Sequence, residues 1–200
     1  MTVRTDRQAD RRRQILEAAV HVFAKNGFHT SRVGDIAEEA GIAYGLVYHY
    51  FKSKEELLET IFRDTWTQML ERVREVESSS VPAREGVRQV TALLLRTWRR
   101  DPDLVRVLVR EVTRSPHVQR EIEEIGHAMK ALEAIIRRGQ EGGEFAPDVD
   151  ARFAAVVWYG ALDEVLTGWV LGQLPDKDGD IAEAERNIVA LLVDGLAVRP

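Results

Sequence analysis

The chain is predicted to be an all-α protein of about nine helices in two parts, and three observations predict it. Apolar residues recur at spacings of three and four along nearly the whole length, as one face of a helix requires. No stretch shows the convincing alternation of a half-buried strand. The periodic segments stop at helix-breaking residues: Asn26-Gly27, Gly41, Asp101-Pro102, Ser115-Pro116 and Gly142-Gly143.

The first helix runs from about Arg7 to Lys25, with Ile15, Ala18, Ala19, Val22 and Phe23 on one stripe. Thr30 or Ser31 can cap a short second helix, whose stripe is Val33, Ile36, Ala37 and Ala40. A third short helix follows Gly41. Ser53 and Glu56 then form a capping box for a long fourth helix, with Leu57, Leu58, Ile61, Phe62, Trp66, Met69, Leu70, Val73 and Val76 on its apolar face. "SSSVP" (78–82) ends it. Val87, Val90, Leu94 and Trp98 mark the fifth helix and Leu104 to Val112 the sixth. Val118, Ile122, Ile125, Met129, Leu132 and Ile136 mark the seventh. Residues ~149–173 are apolar nearly all round, which implies burial on more than one side. Ile181, Ile188, Val189, Leu192 and Leu196 mark the last helix.

Two hundred residues without a cysteine exclude disulfides and thiolate metal sites, which fits a reducing compartment. "MTVRTDRQADRRRQIL" has no apolar h-region, and no apolar run reaches the ~20 residues of a membrane span. A cytoplasmic location is expected. The net charge of −5 is unevenly spread. Residues 1–54 hold nine Lys/Arg and six Asp/Glu, giving +3; the rest holds nineteen and twenty-seven, giving −8. A basic end on an acidic body suits a chain that presents one end to a polyanion.

The segment "GIAYGLVYHYF" (41–51) carries the sharpest signal. At 100° per residue, Ala43, Val47, Tyr50 and Phe51 fall on one side, expected to be core. Tyr44, Gly45, Tyr48 and His49 fall on the other, aromatic and polar with no apolar neighbour to bury them. Gly45 costs a helix ~1 kcal/mol relative to Ala, which makes sense where a bulky partner approaches the backbone. Two short helices around a Gly turn, the second with an outward polar-aromatic face, describe a helix-turn-helix whose second helix enters the major groove. Thr30, Ser31 and Arg32 stand where free N–H groups favour a phosphate, Lys52 and Lys54 follow, and Arg11, Arg12 and Arg13 precede helix one. His21 and His29 are expected to be structural or solvated.

"ILEAAVHVFAKNGFHTSRVGDIAEEAGIAYGLVYHYFKSKEELLETIF" (15–62) resembles the DNA-binding segment of TetR-family transcriptional regulators over about fifty contiguous residues. The likeness lies in F-x-K-x-G-F-x-x-T-[ST], D-I-A-x-x-A-G and Y-x-[YF]-F-x-[SN]-K-[ED]-x-L. It implies a one-component regulator, its first 54 residues binding a palindromic operator as a homodimer. Residues 55–200 would form a ligand-binding and dimerisation domain that releases the DNA. Where family members often carry Ser-Lys and then Thr at the start of the recognition helix, this chain has Ala43-Tyr44 and Leu46. Tyr44 and Leu46 are expected to make apolar contacts with thymine methyls or sugars.

In the second domain, helices with continuous stripes can enclose an apolar pocket. Candidate lining residues are Trp66, Met69, Leu70, Val73, Leu94, Trp98, Met129, Leu132, Tyr159, Leu162 and Leu166. Plain core is the commoner role of such a stripe. Trp158, Val165, Trp169 and Val170, with Ile188, Leu191 and Leu192, are expected to form an isologous dimer contact. "YGALDEVLTGWVLG" (159–172) with "EGGEFAPDVDAR" looks like the FadR-type branch of the same family. That resemblance implies repression of fatty-acid degradation genes and release by a long-chain acyl-CoA, with Arg106 and Arg110 of a stripe that continues to Arg114 as phosphate partners. The same arginines can equally pair with neighbouring carboxylates. Another hydrophobic effector, in drug-efflux or catabolic control, stays open, as does a helical acyl-CoA carrier or enzyme.

No motif of hydrolases, zincins, P-loop or dinucleotide-binding proteins occurs, so no enzyme and no cofactor is expected. Asp163-Glu164 read as the polar edge of a buried helix. Glu123 and His127 have a metal-type i, i+4 spacing but no second histidine near them, His117 standing ten residues from His127.

Overall fold

The computed structural model describes residues 2–112 and 123–196. Among them are nine α-helices and no β-strand: α1 (Thr2–Asn26), α2 (Val33–Glu39), α3 (Tyr44–Tyr50), α4 (Lys54–Ser78), α5 (Ala83–Arg100), α6 (Pro102–Val112), α7 (Glu123–Glu141), α8 (Ala151–Val170) and α9 (Asp178–Ile188). The last helix widens and then tightens before it ends: Val189–Val193 is a π turn and Asp194–Leu196 a 3-10 turn. Arg114, the Ser115-Pro116 break, His117, Val118 and Ile122 lie outside the described residues.

The chain packs as two compact units, Met1–Thr65 with Arg106–Glu121, and Trp66–Val105 with Ile122–Pro200. α4 and α6 therefore each contribute residues to both.

In the first unit α1 packs on α2 and α2 on α3. The α1 stripe of Ile15, Ala18, Ala19, Val22 and Phe23 is buried throughout. α1 begins near Thr2, so Arg11, Arg12 and Arg13 lie within it rather than ahead of it. Gly27 (φ +80°) and Gly41 (φ +63°) adopt left-handed backbone at the two expected stops. The α2 cap differs from expectation. Ser31 turns its hydroxyl inward to Gly27 O (2.6 Å), and Thr30 donates back to Asn26 O. Arg32 takes the cap position, with its backbone N–H bonded to the Asp35 carboxylate at 2.8 Å. Asp35 thus supplies only the reciprocal half of a capping box, the bond back to the cap residue, and no side chain takes the place of the expected hydroxyl. At α4 the Ser53 hydroxyl accepts from Glu56 N (3.1 Å) as expected, while Glu56 reaches back to Lys52 N (2.6 Å) rather than to Ser53 N.

In the second unit α7 lies along α8, and α5 packs against α7, α8 and α9. Pro82 cannot cap α5 with a side chain, so Glu144, from the turn after α7, accepts from Ala83 N (2.9 Å) and Arg84 N (3.1 Å). Gly139 lets Phe145 close over α7: a Cβ there would lie inside contact of the Phe145 ring and 2.7 Å from Ala83 Cβ. α8 buries Ala154, Ala155, Trp158, Leu162 and Trp169, but leaves Phe153, Val156 and Val157 exposed. The all-round burial expected for it is only half supplied by this chain. Gly139→Ala is expected to destabilise the protein by ~1–3 kcal/mol through overpacking, and a denaturant midpoint equal to that of the parent would contradict this packing.

Candidate nucleic-acid interface and apolar cavity

α3 is seven residues long and is oriented by what it buries. Val47 is 1% exposed and Phe51, at its C-cap, 3%. Tyr50 is half-buried, as an inward position requires, whereas Ala43 is the exposed N-cap rather than core. The opposite face is open. Tyr44 is 56% and Tyr48 45% exposed, Gly45 and His49 are exposed, and Leu46 is half-buried. The two tyrosine rings meet edge to face at 5.2 Å, and their hydroxyls lie 3.1 Å apart. The bond with Tyr44 holds the Tyr48 hydroxyl above its ordinary titration range, so it stays neutral. A Cβ on Gly45 would meet nothing within 4 Å. The chain's own packing therefore does not ask for glycine there.

Around this face, Thr30, Arg32 and Lys52 are exposed. Two expected phosphate contacts have other work. Ser31 is buried, its hydroxyl spent on backbone carbonyls. The Lys54 ammonium binds Phe28 O (2.9 Å), His29 O (3.1 Å) and Ser31 O (3.3 Å), and stands 4.6 Å from the Phe28 ring centroid. All three of its protons are committed, so Lys54 ties down the α1–α2 connection. Arg12 is held by Asp64 at 3.2 Å and lies over the Phe51 ring.

The second unit holds a small apolar cavity. Trp66, Met69 and Val73 of α4, Leu94 of α5, Met129 and Leu132 of α7 and Tyr159 of α8 line it, as their stripes suggested. Leu70, Trp98 and Leu162 are buried core outside the lining, and Leu166 is half-buried outside it. Arg106 and Arg110 do not line it either; Arg110 donates to Ala24 O at the end of α1 (3.2 Å). Val90, Ile125, Ala128 and Trp158 complete the wall. The first three sit on the stripes already described or one turn from them, so the signal was present. Burial pushes the Tyr159 hydroxyl up to about 12, with the Asp163 charge adding to it. Asp163 is itself raised by burial and by Glu164. No group of three or more metal-ligating side chains gathers among the described residues.

The dimer residues need correction. Trp158 is 5% exposed, and its indole N–H donates to Thr91 Oγ1 at 2.9 Å. Trp169 stacks on Trp98 and donates to Pro175 O, and Ile188 is buried. Val165 and Leu192 are half-buried. A single chain already covers Trp158, Trp169 and Ile188, while Val165 and Leu192 stay partly open. Phe153 (65% exposed), Val156, Val157 and exposed Gly160 share the outer face of α8 instead, while Leu191, one of the residues expected at the contact, is open beyond α9.

A helix-turn-helix with an open aromatic face, followed by a helical unit around an apolar cavity, defines a DNA-binding protein with a place for a small ligand. Comparison with known proteins narrows this. Residues 15–61 match the bacterial regulatory proteins of the tetR family, and residues 62–195 match the C-terminal region of YsiA-like proteins. The chain is 33% identical to the fatty acid metabolism regulator protein of Bacillus subtilis, over 92% of this chain and 94% of that one. It is 25% identical to the repressor KstR2 of Rhodococcus jostii, over 96% and 94%. The structure of FadR from Bacillus subtilis in complex with stearoyl-CoA superimposes with a TM-score of 0.80 at 32% identity, covering 92% of this chain and 98% of that one. FadR from Bacillus halodurans superimposes with a TM-score of 0.81 at 26% identity, covering 94% and 97%. The chain belongs to the tetR family and is a transcriptional regulator, not an enzyme.

Three substitutions separate reading from support. Tyr48→Ala is expected to lower affinity for a duplex from the gene's own upstream region while moving the thermal midpoint by less than about 2 °C. Gly45→Ala is expected to lower affinity while stabilising α3 by up to ~1 kcal/mol. Lys54→Ala is expected to lower both affinity and midpoint. Undiminished DNA binding by both Tyr48→Ala and Gly45→Ala in an anisotropy titration would remove the reading face from α3.

Proposed function

We propose that this regulator is a dimeric repressor of fatty-acid metabolism genes that leaves its operator when a long-chain acyl-CoA enters the cavity. The observation that carries the effector is the cavity wall, which is apolar and aromatic and offers no charged side chain. Such a wall accepts a hydrocarbon chain and rejects an ion. The relative solved with stearoyl-CoA supports the same chemistry. Tyr44, Gly45, Leu46, Tyr48 and His49 would read base edges and sugars, while Thr30, Arg32 and Lys52 contact phosphates. Lys54 would act from behind them by holding the α1–α2 connection.

α4 is the element through which a ligand would act. It carries Lys54 at its start and Trp66, Met69 and Val73 of the cavity wall further along. A ligand that binds one setting of this helix better than another would shift the setting of α3 by that difference in affinity. The location we propose is the cytoplasm; among the described residues no helix is long and apolar enough to cross a membrane.

Reading two half-sites needs a dimer. The outer face of α8, with Phe153, Val156, Val157 and Gly160, is the apolar surface this chain leaves uncovered. Phe153→Asp is expected to halve the mass seen by light scattering at micromolar concentration and to weaken operator binding.

The effector is tested on the preformed complex with a labelled upstream duplex. Palmitoyl-CoA is expected to release the DNA at micromolar concentration, and CoA alone is expected to have no effect. A complex that ignores palmitoyl-CoA would leave the regulator standing without this effector.

A further inference from the structure

One buried donor in the second unit has no acceptor. The indole N–H groups of Trp158 and Trp169 are bonded within the chain, to Thr91 Oγ1 and Pro175 O. Trp66 Nε1 is buried and has no hydrogen-bond partner among the described residues. Trp66 is also part of the cavity wall. Buried donors in folded proteins are almost always paired, so an exception on the wall of an apolar cavity points to a partner that enters it.

We infer that the effector carries a neutral acceptor oxygen, a carbonyl, at the point where it passes α4, and that Trp66 Nε1 donates to it. This deepens the effector reading above and rests on the cavity being the effector site. The chemistry of the wall selects among acceptors. The lining holds no lysine, arginine or histidine to balance a carboxylate. Tyr159, which brings a hydroxyl to the wall, stays protonated because burial and the nearby Asp163 push it up to about 12. A carboxylate would enter a wall with no cation to balance its charge and keep most of its desolvation cost. A pure hydrocarbon would leave the indole N–H unpaired. An ester, thioester, amide or ketone oxygen satisfies the donor without bringing a charge.

The wall therefore discriminates by a polar handle as well as by length. Sites built to hydrogen-bond one atom of a ligand reject the analogue lacking it more strongly than apolar pockets reject a change in size. Trp66 is in this sense a specificity-determining residue.

The test compares palmitoyl-CoA with its S-hexadecyl thioether, in which a methylene replaces the carbonyl. Affinities are measured by calorimetry on the full chain and on Trp66→Phe. The parent is expected to prefer palmitoyl-CoA by about tenfold. Trp66→Phe is expected to bind the two equally and to hold the thioether as tightly as the parent does. The indole N–H resonance of Trp66, assigned on the parent protein, is expected to move downfield with palmitoyl-CoA and not with the thioether. That readout stands even if the variant folds poorly. A preference that survives in Trp66→Phe, or no preference and no such shift in the parent, would overturn the inference. If neither CoA compound binds, the acyl-CoA reading falls. The inference is then decided by the same criteria with 2-decanone and its isostere 2-methyl-1-decene. Binding of neither pair would overturn it too.

Discussion

α3 has seven residues, too few to persist as an isolated helix in water. It stands because Val47 and Phe51 are buried on one side and because Lys54, just beyond it, holds three carbonyls of the α1–α2 connection. Burying a Val or Phe side chain contributes ~1.5–3 kcal/mol. Carbonyl groups in an irregular connection need donors, and a fixed ammonium supplies three. The open face of Tyr44, Gly45, Tyr48 and His49 is a consequence of that anchoring. Whatever turns Val47 out of the core turns the open face away with it.

The second unit is organised by a different constraint, the pairing of polar atoms inside an apolar bundle. Thr91, fully buried on α5, donates to Val87 O and accepts from Trp158. Glu144 serves the open end of α5, and Asp150 accepts from Phe153 N at the start of α8. Against these satisfied groups the indole of Trp66 stands out. The same bundle leaves Phe153, Val156 and Val157 in water, which a lone chain of this composition does not cover. Both surpluses lie where a regulator would meet a second molecule.

Much of this was legible in the residues. The three- and four-residue spacing of α1, α2, α4, α5 and α7 located them, and Gly27, Gly41 and Gly143 mark ends that the backbone does make in left-handed conformation. The division of α3 into an inner and an outer face followed from the helical period, with Ala43 misplaced because a cap residue lies outside the period. Roles that depend on distant partners were not legible. Lys54 looked like a surface cation because its carbonyls lie more than twenty residues away. Ser31 looked like a cap, since nothing local shows its hydroxyl turning back to Gly27.

The sequence by itself determined the helices, the basic end and the face that α3 turns outward, because periodicity and charge are local properties of the chain. It also determined that α8 carries more apolar surface than one side can bury. Only the tertiary structure decided which side that is. Trp158 and Trp169 were expected at the surface, yet Thr91 and Pro175 offer acceptors that draw both indoles inside. Phe153 and Val156 are left outside by the rotation of α8 which that requires. The division between core, cavity and surface depends on acceptors supplied from other helices, and a stripe of apolar residues is the same stripe in all three.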